Sequence, residues 1–147
     1  MESIFTDEYF MRKALDEAHA AYEKGEIPIG AVIVVENRVI ARTHNLTELL
    51  NDVTAHAEMQ AITSAANFLG GKYLKGCTLY VTVEPCQMCA GALYWSQISK
   101  IVYAAPDAQR GYKNVGTKLH PKTEVVSGVM EKEAADLMLR FFAQRRK

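Results

Sequence analysis

Thr54-Ala55-His56-Ala57-Glu58 and Val83-Glu84-Pro85-Cys86-Gln87-Met88-Cys89-Ala90-Gly91 supply an imidazole (His56), two thiols (Cys86, Cys89) and a carboxylate (Glu58). Cys86 and Cys89 are three residues apart, which on a helix places them on one face, one turn apart. Pro85 suits the first position of that helix, where its missing N–H would go unpaired anyway. The partial positive charge of a helix N-terminus favours thiolates, and the thiolate is the form that binds metal. A His with a Cys-x-x-Cys pair is the ligand set of a tetrahedral zinc whose fourth position stays open to water.

Glu58 bears on what such a zinc is for. It lies two residues after His56, roughly 200° around a regular helix. Both side chains can serve one site only if the metal caps the start of that helix, with the longer Glu58 reaching past it. Glu58 is then an acid/base beside the metal-bound water and not a ligand. A closed, structural zinc would need a fourth protein ligand. Of the imidazoles left, His19, His44 and His120, none has ligand spacing from His56 or the cysteines.

Outward from these stretches, the chain alternates helical and strand patterns. Met11, Leu15, Ala18 and Tyr22 recur at helical spacing and predict a helix over Thr6 to Lys24, capped by Thr6 or Asp7 and stopped at Gly25. Ala31 to Val35 and Val39 to Thr43 read as antiparallel strands around a Glu36-Asn37 turn. A helix led by Asn51 to Thr54 runs to Phe68, buries Ala57, Ala61, Ile62 and Ala65, and ends at Gly70-Gly71. Thr78 to Val83, Cys86 to Gln97 and Ile101 to Ala104 read as strand, helix and strand, a crossover that makes the strands parallel. Met88, Ala92 and Trp95 are the expected core face of that helix. A polar loop follows over Pro106 to Pro121, then a short strand over Glu124 to Val126. The last helix covers Glu131 to Arg146, with Ala134, Leu137, Met138, Phe141 and Phe142 recurring about every turn.

The 147 residues fit one domain, residues 1–147. Hydrophobic residues make up 49% and charged residues 23%, as in ordinary globular chains. Three cysteines are too few for a disulfide scaffold; Cys77 reads as a buried apolar residue. There is no membrane-length apolar run and no secretory leader, so a cytoplasmic protein is expected. Net charge is zero, but residues 1–70 hold 5 basic and 11 acidic side chains and residues 71–147 hold 12 and 6. Halves of −6 and +6 suggest either an anionic partner or mutual complementation.

His-Ala-Glu followed by Pro-Cys-x-x-Cys resembles the signature of the zinc-dependent nucleobase and nucleoside deaminases. The likeness extends to Ile27 through Val34, His44-Asn45, Thr54 through Gln60, Leu79 through Leu93, and Phe141 through Arg146. Those segments are similar to the bacterial tRNA-specific adenosine deaminases of the cytidine/deoxycytidylate deaminase superfamily. The resemblance implies a three-layer α/β/α fold, with a five-stranded mixed sheet and helices on both faces. It implies one zinc per subunit on His56, Cys86 and Cys89, with Glu58 catalytic and Asn45, Ala57 and Asp107 at the substrate. The partner would be a tRNA anticodon loop, whose wobble adenosine becomes inosine; neither DNA nor membrane is expected. A homodimer is implied as well. Lys113, Arg145 and Arg146, within a basic loop and a basic tail, are candidate RNA contacts. Two other readings stand beside this one. Tyr94-Trp95 resembles the bacterial guanine deaminases, which suggests a deaminase of a free base or nucleoside (guanine, or cytosine and cytidine). The other is a non-catalytic RNA-binding subunit, against which the intact Glu58 argues.

Overall fold

The sheet starts where local chemistry forces a reversal. Glu36 and Asn37 have φ of 49° and 61°, the double left-handed turn whose twist matches a hairpin. It joins β1 (Gly30–Val35) to β2 (Arg38–His44) in antiparallel register, Gly30 opposite His44, with an irregularity between Ile33 and Val34. β3 (Cys77–Val83) adds to the other edge of β1, antiparallel; β4 (Lys100–Ala105) and β5 (Glu124–Ser127) follow in parallel. The order is β2-β1-β3-β4-β5, a five-stranded mixed sheet. The structure, a computed structural model, describes residues 3–145.

Alternation along the strands builds two cores. Ala31, Ile33, Leu79, Val81, Ile101 and Tyr103 point to the face covered by α2 (Ala57–Leu69) and α3 (Gln87–Ser96). Val32, Val34, Tyr80, Val102 and Ala104 point to the face covered by α1 (Asp7–Glu23) and α4 (Glu131–Arg145). β1 is buried on both sides, which is why it reads as an unbroken Gly-Ala-Val-Ile-Val-Val run. The three-layer α/β/α expectation holds.

The helix ends follow their sequence signals, with three corrections. Thr6 caps α1 by accepting from the Tyr9 N–H at 3.1 Å, and Gly70 closes α2 in the left-handed conformation at φ 72°. Pro85, however, does not open α3: Cys86 is the N-cap, and Pro85 lies one residue outside the helix. Nor are Met88, Ala92 and Trp95 the core face of α3. Its buried residues are Cys89, Ala90, Leu93 and Ser96, while Trp95 is 77% exposed. The helix is apolar nearly all round, so no stripe stands out and packing chooses the phase. On α4 the core face is Ala134, Leu137 and Phe141, with Met138 half-buried and Phe142 exposed. Cys77 is buried, as expected, and burial pushes its thiol up.

β2, β3 and β4 run the same way, so their C-terminal ends share one edge of the sheet, and α2 and α3 begin just beyond it. That edge, outside the carboxyl ends of parallel strands, is where open α/β sheets bind ligands.

Candidate active site

His56 is the N-cap of α2, with ψ at 153°, so it stands outside the helical spiral while Glu58 lies in the first turn. The geometric condition on the pair is thereby met. The His56 side chain caps nothing. Its Nδ1 lies 3.6 Å from Cys86 Sγ and 3.6 Å from Cys89 Sγ. A tetrahedral zinc with Zn–S near 2.3 Å and Zn–N near 2.1 Å would hold sulfur and nitrogen about 3.6 Å apart. The three donors thus fit zinc in both kind and spacing. Among the described residues they are the one such His/Cys/Asp/Glu group.

The other imidazoles are elsewhere. His44 Nδ1 meets Glu17 Oε1 at 2.9 Å and its Nε2 meets Lys24 Nζ at 3.0 Å. His120 Nδ1 accepts from the Lys122 N–H at 3.1 Å, and His19 is exposed on α1. Cys86 is lowered to about 4, first by its hydrogen bond from Cys89, while that same bond and burial push Cys89 up. His56 is raised, chiefly by its bond with Cys86.

Glu58 is 3% exposed, and its Oε1 has no partner among the described residues. Burial raises it to about 7, the nearby Cys86 adds to the rise, and its own backbone N–H and His56 oppose it. A buried carboxylate oxygen without a donor is costly in an ordinary core. Here it lies beside the three-donor cluster of His56, Cys86 and Cys89.

The start of α2 is pinned to the end of β2. Thr43 Oγ1 donates to the Ala57 carbonyl at 2.7 Å, and Gln60 Nε2 donates to the His44 carbonyl at 2.7 Å. Asn45, 3% exposed, accepts the Ala57 N–H on Oδ1 at 2.8 Å. The acceptor of the Asn45 amide is thereby taken, and its donor, Nδ2, is what remains for a ligand. Ala57 is fully buried, with its N–H paired to Asn45 and its C=O to Thr43.

A cleft of about 260 Å³ opens over His56 and Cys86, near the small end of ligand pockets (about 300–1,000 Å³). Val53, Met88 and Val115 form an apolar rim; Gln109 and Arg110 stand on the far wall. Asp107 is not on that wall. Its Oδ1 accepts from the N–H groups of Gln109 and Arg110, both at 3.0 Å, so it shapes the loop that carries them. Lys113 is exposed, its ammonium 5.7 Å from the Tyr103 ring centroid. Arg145 Nη2 donates to the Gly25 carbonyl at 2.7 Å and its guanidinium lies over Phe141, away from the cleft lining. Arg146 lies outside the described residues.

Sequence reasoning gave no role to two buried carboxylates that flank the site. Glu26, 1% exposed, accepts from the N–H groups of Glu48 and Leu49 at 3.0 and 2.8 Å, holding the loop that carries Val53. Glu84, 7% exposed, accepts from the N–H groups of Asp107 and Lys113 at 3.1 and 3.2 Å. The available signal was an acid inside an otherwise apolar or turn context: Gly25-Glu26-Ile27 and Val83-Glu84-Pro85.

The family model for the cytidine and deoxycytidylate deaminase zinc-binding region matches residues 5–105. The tRNA-specific adenosine deaminase of Bacillus subtilis is 46% identical over 147 aligned positions, covering 96% of this chain and 91% of that protein. A solved structure from a study of A-to-I editing by tRNA:A34 deaminases at the wobble position superposes with a TM-score of 0.82 at 44% identity, covering 88% of this chain and 98% of that one. The guanine deaminase of Bacillus subtilis superposes with a TM-score of 0.66 at 38% identity, covering 76% of this chain and 68% of that one.

Proposed function

This chain belongs to the cytidine and deoxycytidylate deaminase family and, within it, to the tRNA-specific adenosine deaminases, and we propose that it hydrolyses the wobble adenosine of a tRNA anticodon to inosine. Adenosine and water go in; inosine and ammonia come out. The observation that carries the reading is Glu58: a buried carboxylate with an unpartnered oxygen, beside a three-donor cluster with no fourth protein ligand among the described residues. His56, Cys86 and Cys89 would hold one zinc per subunit. When bound, zinc supplies a Lewis acid that makes water nucleophilic near neutral pH.

The chain's own groups do the rest. Glu58 accepts one proton from the attacking water and delivers it to the ring nitrogen, then accepts the second proton of the same oxygen and delivers it to the departing amine, which leaves as ammonia. Asn45 Nδ2 is the donor left to orient the base. Val53, Met88 and Val115 offer apolar surface to an unstacked base. Asp107 acts by fixing Gln109 and Arg110. The exposed cations Arg110 and Lys113 are placed to meet phosphates, and Arg145 is a more distant contact. The free cysteines suit a reducing cytoplasm. A homodimer is supported by Phe68 and Trp95, 56% and 77% exposed on α2 and α3. Sedimentation as a monomer at micromolar concentration would count against it.

The deciding experiment offers the zinc-loaded protein an anticodon stem-loop with a wobble adenosine and, separately, guanine, cytosine, cytidine and adenosine. Conversion of the stem-loop alone, to inosine, is expected. Conversion of guanine with the stem-loop unchanged would reverse the assignment. The guanine reading leaned on Tyr94-Trp95, but neither residue lines the cleft.

A further inference from the structure

The wall of the cleft that carries Gln109, Arg110 and Val115 belongs to an irregular loop, and two of its attachments meet on one side chain. Glu84 Oε1 takes the N–H of Asp107 and Oε2 takes the N–H of Lys113. Between these two anchors, Tyr112 N–H donates to the Pro85 carbonyl at 2.9 Å, and Gly111 pairs across to Cys86. Glu84 is itself fixed, because its N–H donates to the Ala105 carbonyl at 2.8 Å. Nothing larger than glycine fits against the carboxylate: a Cβ at Gly111 would lie 2.3 Å from its carboxyl carbon and 2.5 Å from the Asp107 carbonyl. Two backbone donors on a buried carboxylate are charge-assisted bonds, stronger than neutral ones, and they satisfy a charge that would otherwise be expensive to bury.

We propose that Glu84 is a positioning residue: its carboxylate clamps the 107–113 loop to the junction that carries Cys86, and so sets the wall that grips the substrate. The anchor and a proposed metal ligand are two residues apart on the extended junction between β3 and α3, so the wall is indexed to the proposed reacting centre. A loop tied elsewhere could drift relative to the zinc site; this one moves only if the end of β3 moves. The consequence for the reaction rests on the deaminase reading, but the clamp does not.

The test uses zinc-loaded full-length protein and Glu84→Gln, which keeps the shape but turns an amide N–H toward one of the two donors. In the wild type, the Asp107 and Lys113 amides should exchange hydrogen much more slowly than that of exposed Ala108. In Glu84→Gln, the 107–113 amides should exchange at least about tenfold faster, the scale of one lost hydrogen bond to a charged group. Amides of β1 and β3, and zinc content, should not change. On the stem-loop, KM should rise by about tenfold with kcat nearly kept, the mark of lost substrate binding rather than lost chemistry. A merely structural Glu84 would instead lower zinc content or the unfolding midpoint and leave KM alone. Unchanged exchange in the loop, or wild-type Asp107 and Lys113 amides as fast as Ala108, overturns the clamp even if the variant folds poorly. If the wild type converts no stem-loop, the substrate assignment fails while the exchange arm still decides the clamp. As a second variant, Gly111→Ala, which strikes both the carboxylate and the Asp107 carbonyl, should open the loop in the wild type and open it less in a Glu84→Ala background, where only the carbonyl remains to be struck.

Discussion

Glu58 keeps an ionisable group where burial opposes its charge, and that has a sign in pH. Its folded value of about 7 stands above the ordinary 4.5, so the folded metal-free protein holds this proton more tightly than the unfolded chain does. The advantage is whole below pH 4.5 and is lost as pH rises through about 7; above that, ionised Glu58 costs about 3 kcal/mol. Glu58→Gln cannot ionise. Metal-free Glu58→Gln should therefore unfold at a higher midpoint than the metal-free wild type above pH 7, with the gap closing toward about pH 5. Zinc-loaded Glu58→Gln should keep its metal and lose at least about 10²-fold in turnover, as loss of a general acid/base does. Near-normal turnover, or a stability gap of the opposite sign, would remove Glu58 from its role. The same contrast explains what could be read in advance. The clustering of His56, Cys86 and Cys89 beside Glu58 was legible because a metal site would dictate residue types and spacing. The Asn45 cap and the Glu26 and Glu84 carboxylates were not, because their partners are backbone N–H groups of residues 12 or more positions away.

At the scale of elements, order and topology were legible wherever chemistry was local: the double left-handed turn at Glu36-Asn37, the Thr6 cap, the Gly70 stop and the crossover through α3. The phase of α3 was not, since Met88, Ala92 and Trp95 match helical spacing as well as Cys89, Ala90, Leu93 and Ser96 do. What separates them is tertiary: Cys86 is an extended N-cap, and from the first turn of α3 Cys89 lies 3.6 Å from His56 Nδ1. The approach of α1 to the sheet was also hidden, although glycine marks it. A Cβ on Gly30 would lie 2.1 Å from the Ala14 carbonyl and 2.4 Å from the Ala18 nitrogen, both helix backbone. Gly30 also donates to the buried Thr82 Oγ1 at 3.1 Å and pairs with His44, next to Asn45. Gly30→Ala must therefore push α1 off the sheet. It should cost about 1–3 kcal/mol as overpacking does, read as a lower denaturant midpoint with unchanged slope. A wild-type midpoint would mean α1 packs more loosely than these distances require.

For the whole molecule, the −6 and +6 halves offered two readings, and the fold gives each a share. Part of the basic half is spent on local partners: Lys100 on Asp7 at 3.4 Å, Lys132 on Asp136 at 3.1 Å, and Arg145 on the Gly25 carbonyl. Arg110 and Lys113 make no ion pair among the described residues and stand exposed on the cleft loop, Lys113 over the Tyr103 ring, with Lys118 and Lys122 further along the same connection. RNA binding should therefore rest on two or three phosphates and not on the whole positive half. Each phosphate neutralised on a single strand contributes a slope of about −0.7 to log K against log salt, so a slope between about −1.4 and −2.1 is expected. Arg110→Ala should flatten it by about 0.7 and weaken all stem-loops alike, since a phosphate contact carries no sequence information. A slope near −4, about six phosphates, would mean that the cations paired here are released to the RNA. A slope near zero would return the charge asymmetry to complementation within the fold and leave recognition to the apolar rim and Asn45.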